Sequence, residues 1–475
     1  MKILDYEKAR IVRMNEKEYG SHYNRIRFIR EDQIPAFTKR REELLQDILR
    51  TAESGFKQSK LDVRRMSPGC RICAEGGWSC LFINGICNCK CFYCPAVQNQ
   101  VDVPTSSSLQ FEEAKDYIRY IQKYNFKGVS LSGGEPLLTF DKTLAFLKAV
   151  RRAFGREKYI WLYTNGALVD EEKIGLLKSE GLDEIRFDLS ARNYKTDKIR
   201  LAVGQIPHVT VEIPAIPEDL DILKRMMHEL ERLGVNYLNL HQLRLTPHNF
   251  EHLVKRDYTF LHGNKVTVLE SELAALEILK YSLEENINLP VNYCSFVFKN
   301  RFQNAAARRR IAPGIIESFE EMTESGFIRR IAVHGSAEEI QNLQESLKRT
   351  GAEQSLFKLE PGNRMLLHPG LIREGKIKAF RLVVSYFHVK LLPKVSYRNP
   401  FREFELSSSR KIVVERIRTA DDLALSADDF ELFRDIFLTN EKDFTPYENI
   451  AKWNQLARFE WIEEGLQEYF YTESY

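Results

Sequence analysis

At 475 residues, 43% of them apolar, the chain is long enough for two or three domains and a substantial core. Seventy basic against sixty-seven acidic side chains leave a net charge of +3, which argues against a dedicated nucleic-acid binder. The start, Met1-Lys-Ile-Leu-Asp-Tyr-Glu-Lys-Ala-Arg10, carries charge where a signal peptide needs an apolar stretch, and no apolar run reaches transmembrane length; a cytoplasmic protein without a membrane partner is expected.

Residues 1–65 read as an N-terminal extension with one amphipathic helix, Phe37 to Ala52, whose charged face is solvated. Residues 66–310 read as the core, entered through a cysteine-rich segment. From Leu81 onward, short β-rich runs alternate with amphipathic helical patterns, which predicts an α/β fold with a parallel sheet closed into a partial (β/α)6 barrel. The expected strands are Leu81 to Ile86, Gly128 to Ser132, Tyr159 to Tyr163, Glu184 to Leu189, His208 to Ile213 and Tyr237 to Leu243. The expected helices are Leu109 to Tyr124, Phe140 to Phe154, Glu171 to Ser179, Asn193 to Val203, Asp219 to Leu233 and Glu270 to Glu285. Residues 311–475 break this rhythm and predict a smaller α+β domain: strand Gly326 to His334, helix Ala337 to Arg349, strands near Arg364 to Leu367 and Ala379 to Val389, and a helical tail ending in the aromatic stretch Phe459 to Tyr475.

Seven of the eight cysteines fall between Cys70 and Cys94, a clustering that in a reducing compartment argues for metal rather than disulfides. Cys87, Cys91 and Cys94 are spaced C-x3-C-x2-C directly after the first strand. Three thiolates suit one iron-sulfur cluster with an open coordination position, whereas a structural zinc site is the plainer reading of such a loop. At the end of the second strand, Ser132-Gly-Gly-Glu-Pro136 offers two glycines without Cβ atoms and a carboxylate. Thr164-Asn-Gly166 and Asp188-Leu-Ser190 put small polar groups on the same rim, where a barrel of this class carries its chemistry.

This combination resembles the radical S-adenosylmethionine (radical SAM) superfamily. The resemblance implies that Cys87, Cys91 and Cys94 bind a [4Fe-4S] cluster, that Gly133, Gly134 and Glu135 hold the methionyl amino group of S-adenosylmethionine, and that Tyr93 lies near adenine. It places Asn165 and Ser190 near the ribose or carboxylate, and Ile213-Pro-Ala215 along the adenine. Ser67-Pro-Gly-Cys-Arg-Ile-Cys73, Val211-Glu-Ile-Pro-Ala-Ile-Pro217, Tyr237-Leu-Asn-Leu240 and Val291-Asn-Tyr-Cys294 followed by Phe298-Lys299 look like a prokaryotic group related to pyruvate formate-lyase activating enzymes. That likeness implies an electron donor such as flavodoxin or ferredoxin and favours a peptide or protein side chain as substrate, with a tRNA base or small metabolite second. A non-catalytic zinc or iron-sulfur module is the rival from another class.

Cys70, Cys73 and Cys80, with Cys294 brought back by the last βα unit, make four thiolates suited to a second [4Fe-4S] cluster or a zinc ion. Against this stand a buried core cysteine at 294, and a Cys294 that donates a hydrogen atom or anchors substrate. Cys89 is left over as an unligated thiol. Trp78 is expected to pack over the upstream cysteines, His241 on its strand to pack or to face the mouth, and Arg308-Arg-Arg310 to be a solvated face.

Overall fold

In the computed structural model of the chain, residues 3–98, 103–373, 380–407, 410–439 and 451–466 are described. The described residues divide into two compact units, one made of those from 4 to 303 with 463–466 and the other of those from 304 to 462 with Ile3. None of the described helices is long and apolar enough to cross a membrane.

The larger unit is an open barrel of seven parallel strands: β1 Trp78–Asn84, β2 Gly128–Gly133, β3 Tyr159–Thr164, β4 Glu184–Phe187, β5 His208–Pro214, β6 Tyr237–His241 and β7 Val291–Cys294. They lie in the order β7-β6-β5-β4-β3-β2-β1, and two short antiparallel strands, Thr105–Ser106 and Leu109–Gln110, extend the β1 edge. Six of these strands are the expected ones. The seventh, β7, pairs with β6 from Val291↔Leu238 to Cys294↔His241.

Most helices stand where the sequence puts them, for reasons their ends display. Asp170 caps Glu171–Ser179 by accepting from the Lys173 N–H (2.8 Å). Gly234, at φ +84°, ends Leu220–Leu233 in the left-handed conformation that suits glycine. The helix expected over Asn193 to Val203 shrinks to Ile199–Ala202, because Asn193 and Tyr194 both take positive φ and turn the chain before it can wind. The helix expected from Leu109 starts at Ala114, since Leu109 and Gln110 pair with Ser106 and Thr105 instead.

The strands alternate in an unusual sense. Leu81, Ile83, Val129, Leu131, Ile160, Leu162, Val209, Val211 and Leu238 are buried on the face turned toward the helices. The alternate residues, turned into the barrel, are Cys80, Ser130, Trp161, Glu184, Arg186, Glu212, Asn239, His241 and Asn292. A barrel of this type usually fills its interior with branched apolar side chains; this one fills it with polar and aromatic groups. Trp78 belongs to that interior: it stacks on Trp161 (6.2 Å between centroids) and donates to Ser130 (2.9 Å).

The helix Pro68–Ala74 packs against the start of β2 and β3. Its Gly69 lets it approach: a Cβ there would lie 2.4 Å from Arg186 Nη2 and 2.7 Å from Glu184 Oε2.

In the smaller unit an antiparallel sheet runs β9-β10-β8-β11-β13-β12, with β8 Ile328–His334, β9 Phe357–Glu360, β10 Arg364–Leu367, β11 Arg381–Leu392, β12 Phe401–Ser407 and β13 Arg410–Arg418. The helix Ala337–Arg349 opens with a Ser336/Glu339 capping box and buries Ile340, Leu343 and Leu347 among Ile331, Val333, Met365 and Leu382. The tail contributes helices Ala427–Phe433 and Ala451–Glu460, and Phe459 stacks on Tyr386 (4.9 Å). The aromatic stretch beyond residue 466 lies outside the described residues.

Candidate active site

The cysteine loop is rooted in the end of β2. The β1–β2 register slips between Phe82 and Asn84, and two backbone bonds follow, Gly134 N–H to Asn84 O (2.9 Å) and Glu135 N–H to Ile86 O (2.8 Å). Gly133 stands at φ +134°, and a Cβ on it would lie 2.2 Å from Asn84 O; on Gly134 it would lie 2.0 Å from Ile86 O. The space a Cβ would fill is therefore occupied by the root of the loop, so the glycines bring the cysteines to the strand ends.

Cys87, Cys91 and Cys94, all half-buried, line one cavity of about 380 Å³ at the C-terminal ends of the strands, together with Gly133 and Gly134. Cys89, expected to be an unligated thiol on the loop, lines the same cavity. Gln98 Nε2 donates to Cys94 Sγ (3.3 Å), and the Cys94 N–H closes a turn on Cys91 O (3.1 Å).

The remaining expected site residues divide into those that face the cavity and those behind it. Tyr93 faces it, and its hydroxyl donates to Asp188 Oδ2 (2.9 Å) and lies 2.6 Å from Ser190 Oγ. Ser190 lines the groove on the outer side of the loop instead. Burial pushes the Asp188 carboxyl up, opposed by hydrogen bonds from Ser190 and Tyr93. Asn165 faces the cavity and donates to Asn88 Oδ1 (2.7 Å). Glu135 is fully buried and does not line the cavity. Its carboxylate accepts from Leu137 N–H (3.0 Å), Thr164 Oγ1 (2.9 Å) and Asn165 N–H (2.7 Å), so it ties the end of β3 to β2.

The far wall holds a charge network. Arg186, 3% exposed, pairs with Glu184 (2.9 Å) and Glu212 (2.6 Å). Glu212 also accepts from Asn239 (2.9 Å) and from His241 Nε2 (2.5 Å). Burial alone would raise the Glu212 carboxyl; Arg186 and His241 outweigh it and hold it far below the usual range. Burial, and then Lys299, push His241 down, so its Nε2–H donates to Glu212 while Nδ1 accepts from Lys299 Nζ (2.9 Å). Period-two spacing exposes Arg186, Glu212 and His241 as inward residues, but which carboxylate meets which cation depends on the register between strands.

The upstream cysteines are gathered only in part. Cys73 is pushed well above its ordinary value by burial and then by Cys294 and Cys70, which places those three in one neighbourhood; Gln303 Nε2 donates to Cys73 (3.0 Å) and Asn292 Nδ2 to Cys70 (3.4 Å). Cys80 sits apart on β1, bonded to Ser130 and Ser132 and pushed up to about 11 by burial. Among the described residues, no three His, Cys, Asp or Glu side chains are gathered closely enough to hold one metal ion. Tetrahedral zinc needs sulfurs within about 4 Å of one another, whereas a cluster spreads its thiolates over several irons.

Residues 81–201 match the Radical SAM superfamily. A protein of Methanocaldococcus jannaschii named "Putative glycyl-radical enzyme activating enzyme" is 28% identical over 342 residues, covering 69% of this chain and 90% of that protein. The GTP 3′,8-cyclase of Corynebacterium glutamicum is 33% identical over 106 residues, 22% of this chain and 28% of the cyclase. Among solved structures, Streptococcus suis SuiB bound to precursor peptide SuiA aligns at 15% identity with a TM-score of 0.34, over 45% of this chain and 47% of SuiB. The matched segment runs from the first barrel strand across the cysteine loop, the glycine pair and the rim of β4. The chain thus carries a Radical SAM domain over residues 81–201 and works as a radical SAM enzyme with a [4Fe-4S] cluster and S-adenosylmethionine as cofactors, and over most of its length it is similar to a protein named as a glycyl-radical enzyme activating enzyme.

Proposed function

We propose that Cys87, Cys91 and Cys94 hold the cluster and that the enzyme removes a hydrogen atom from a peptide or protein side chain. The observation that carries the reading is the opening of these three thiols, from one loop, onto the cavity edged by Gly133 and Gly134. The donor set fits: Cys87, Cys91 and Cys94 are three soft ligands that would hold such a cluster and leave it open to S-adenosylmethionine. When bound, the two cofactors would supply one-electron reductive cleavage and hydrogen-atom abstraction.

The chain's own residues bind and orient. Gly133 and Gly134 present backbone to the methionyl end. Glu135 is a positioning residue that fixes Asn165 through its N–H, so that the Asn165 side chain faces the ribose or carboxylate. Tyr93, held by Asp188 and Ser190, offers a ring edge to the adenine. A reduced flavodoxin or ferredoxin would deliver the electron.

A peptide or protein substrate is supported by the name of the archaeal relative, which this chain covers over nine-tenths of its length. A small anionic metabolite is the second reading, favoured by the charged far wall. Reconstituted protein, reduced under argon, is expected to convert S-adenosylmethionine to 5′-deoxyadenosine. Absence of that product from iron- and sulfide-replete protein would sink the reading.

A further inference from the structure

The cavity wall opposite the cysteines carries three cations and two acids, and two of those cations lack a counter-charge. Arg186 is matched by Glu184 and Glu212, while Glu212 is shared with His241. Asp188 is engaged by Tyr93, Ser190 and the Ala191 N–H (3.3 Å). Arg244 and Lys299 remain. Among the described residues neither has a carboxylate within ion-pair distance, and Glu18, which acts on Arg244 from outside the cavity, is paired with Lys265 (3.4 Å).

Arg244 and Lys299 flank one ring. The Arg244 guanidinium lies 5.6 Å and the Lys299 ammonium 4.6 Å from the Phe296 centroid, and all three side chains are half-buried and line the cavity. Lys299 spends one of its three donors on neutral His241, which leaves the other two and the whole charge. Half-buried cations without a partner are costly unless a ligand supplies the anion. A helical segment opens beside them at Phe296 and continues past Lys299 to Gln303, but the Phe298 N–H at its start is already taken by the Ser295 hydroxyl (3.1 Å). A planar, singly charged carboxylate matches a guanidinium fork and an ammonium over an aromatic face.

We infer that Arg244 and Lys299 form a subsite for a substrate carboxylate, so that the hydrogen removed belongs to an acid or to an acidic segment of a peptide. This rests on the radical SAM reading of the same cavity and names the chemical class of its substrate.

The test uses reconstituted full-length enzyme with S-adenosylmethionine bound and no reductant, titrated calorimetrically with N-acetylglycine, succinate and glutarate, each against its amide, and with inorganic phosphate. Binding of at least one acid, no binding of its amide, and about tenfold weaker binding in each of Arg244→Gln and Lys299→Gln are expected, with S-adenosylmethionine affinity kept. Circular dichroism and thermal unfolding of both variants confirm that they fold, and Lys299→Arg is expected to recover part of the affinity. Equal binding of acid and amide, or of neither, overturns the subsite; tighter binding of phosphate overturns its assignment to a carboxylate. Loss of S-adenosylmethionine affinity in the variants also overturns it, because the corner would then hold the cofactor's own carboxylate. Failure of the wild type to form 5′-deoxyadenosine would be read in a separate, reduced assay and would strike the radical reading alone.

Discussion

Two of the buried charge networks among the described residues are built from the same kinds of side chain, and they end differently. In the smaller unit Arg329, 4% exposed, pairs with Glu460 (2.5 Å) and Glu321, and Tyr386 donates to Glu460; close by in sequence, Glu320 takes both Arg416 (2.5 Å) and Arg330 (2.7 Å). Every one of those charged heads meets an opposite charge. In the barrel the chain of contacts runs Glu184, Arg186, Glu212, His241, Lys299 and then stops at a cavity wall. A network that closes on itself holds a fold; one that ends on open space with charge to spare is arranged for a ligand. Burial and pairing alone do not separate the two, and the position of the last group does.

Breaking the closed network should give the largest change in stability. Arg329→Met strands Glu460 and Glu321, and is expected to lower the unfolding free energy by about 4 kcal/mol in urea titrations while leaving 5′-deoxyadenosine formation per folded molecule unchanged. Arg186→Met should destabilise to a similar degree and also abolish that activity, because its network borders the cavity. If both variants spare activity, the distinction between the networks fails.

Gly134→Ala comes next. Its Cβ would stand 2.0 Å from Ile86 O, a backbone atom at the root of the cysteine loop, so a loss of about 3 kcal/mol is expected together with reduced iron content on reconstitution. Ordinary iron loading in this variant would detach the glycine pair from the placement of the thiols.

The smallest effect belongs to a third, neutral contact. His262 is buried, stacks on Phe28 (3.5 Å), donates from Nδ1 to Asn15 (3.0 Å) and accepts at Nε2 from Tyr23 (3.3 Å). Burial pulls it down to about 4 from 6.5. The unfolded chain then binds the extra proton between those values, so stability is complete above pH 6.5 and is lost as the pH falls toward 4. Between pH 7 and 5 the loss should be about 2 kcal/mol, and His262→Gln should remove that slope in paired unfolding curves.

Much of the fold is legible in the chain because the signals are local. β-Rich runs bounded by glycine and proline gave the strands, and Asp170, Gly234 and Ser336 mark helix ends by groups within four residues. The helix over Asn193 to Val203 misreads two left-handed residues, and β7 hides in Val291–Cys294, too short to show a period. The loop thiols and the glycine pair were readable as motifs. The sequence points Glu135 toward a ligand, while the bonds its carboxylate accepts from Leu137, Thr164 and Asn165 appear only once β3 packs against β2. Arg244 carries no motif, and Lys299 enters the sequence reading only as part of a group likeness; they meet around Phe296 because the segments after β6 and β7 return to the same rim.

The central claim is that Cys87, Cys91 and Cys94 alone hold the cluster that meets S-adenosylmethionine. Electron paramagnetic resonance of the reduced protein tests it most directly, with and without S-adenosylmethionine, in the wild type and in a Cys87→Ala/Cys91→Ala/Cys94→Ala variant. The account predicts a cluster signal that changes on adding S-adenosylmethionine in the wild type and no responsive signal in the variant, whatever metal Cys70, Cys73 and Cys294 retain. A wild-type signal indifferent to S-adenosylmethionine, or a responsive cluster surviving in the variant, would contradict it.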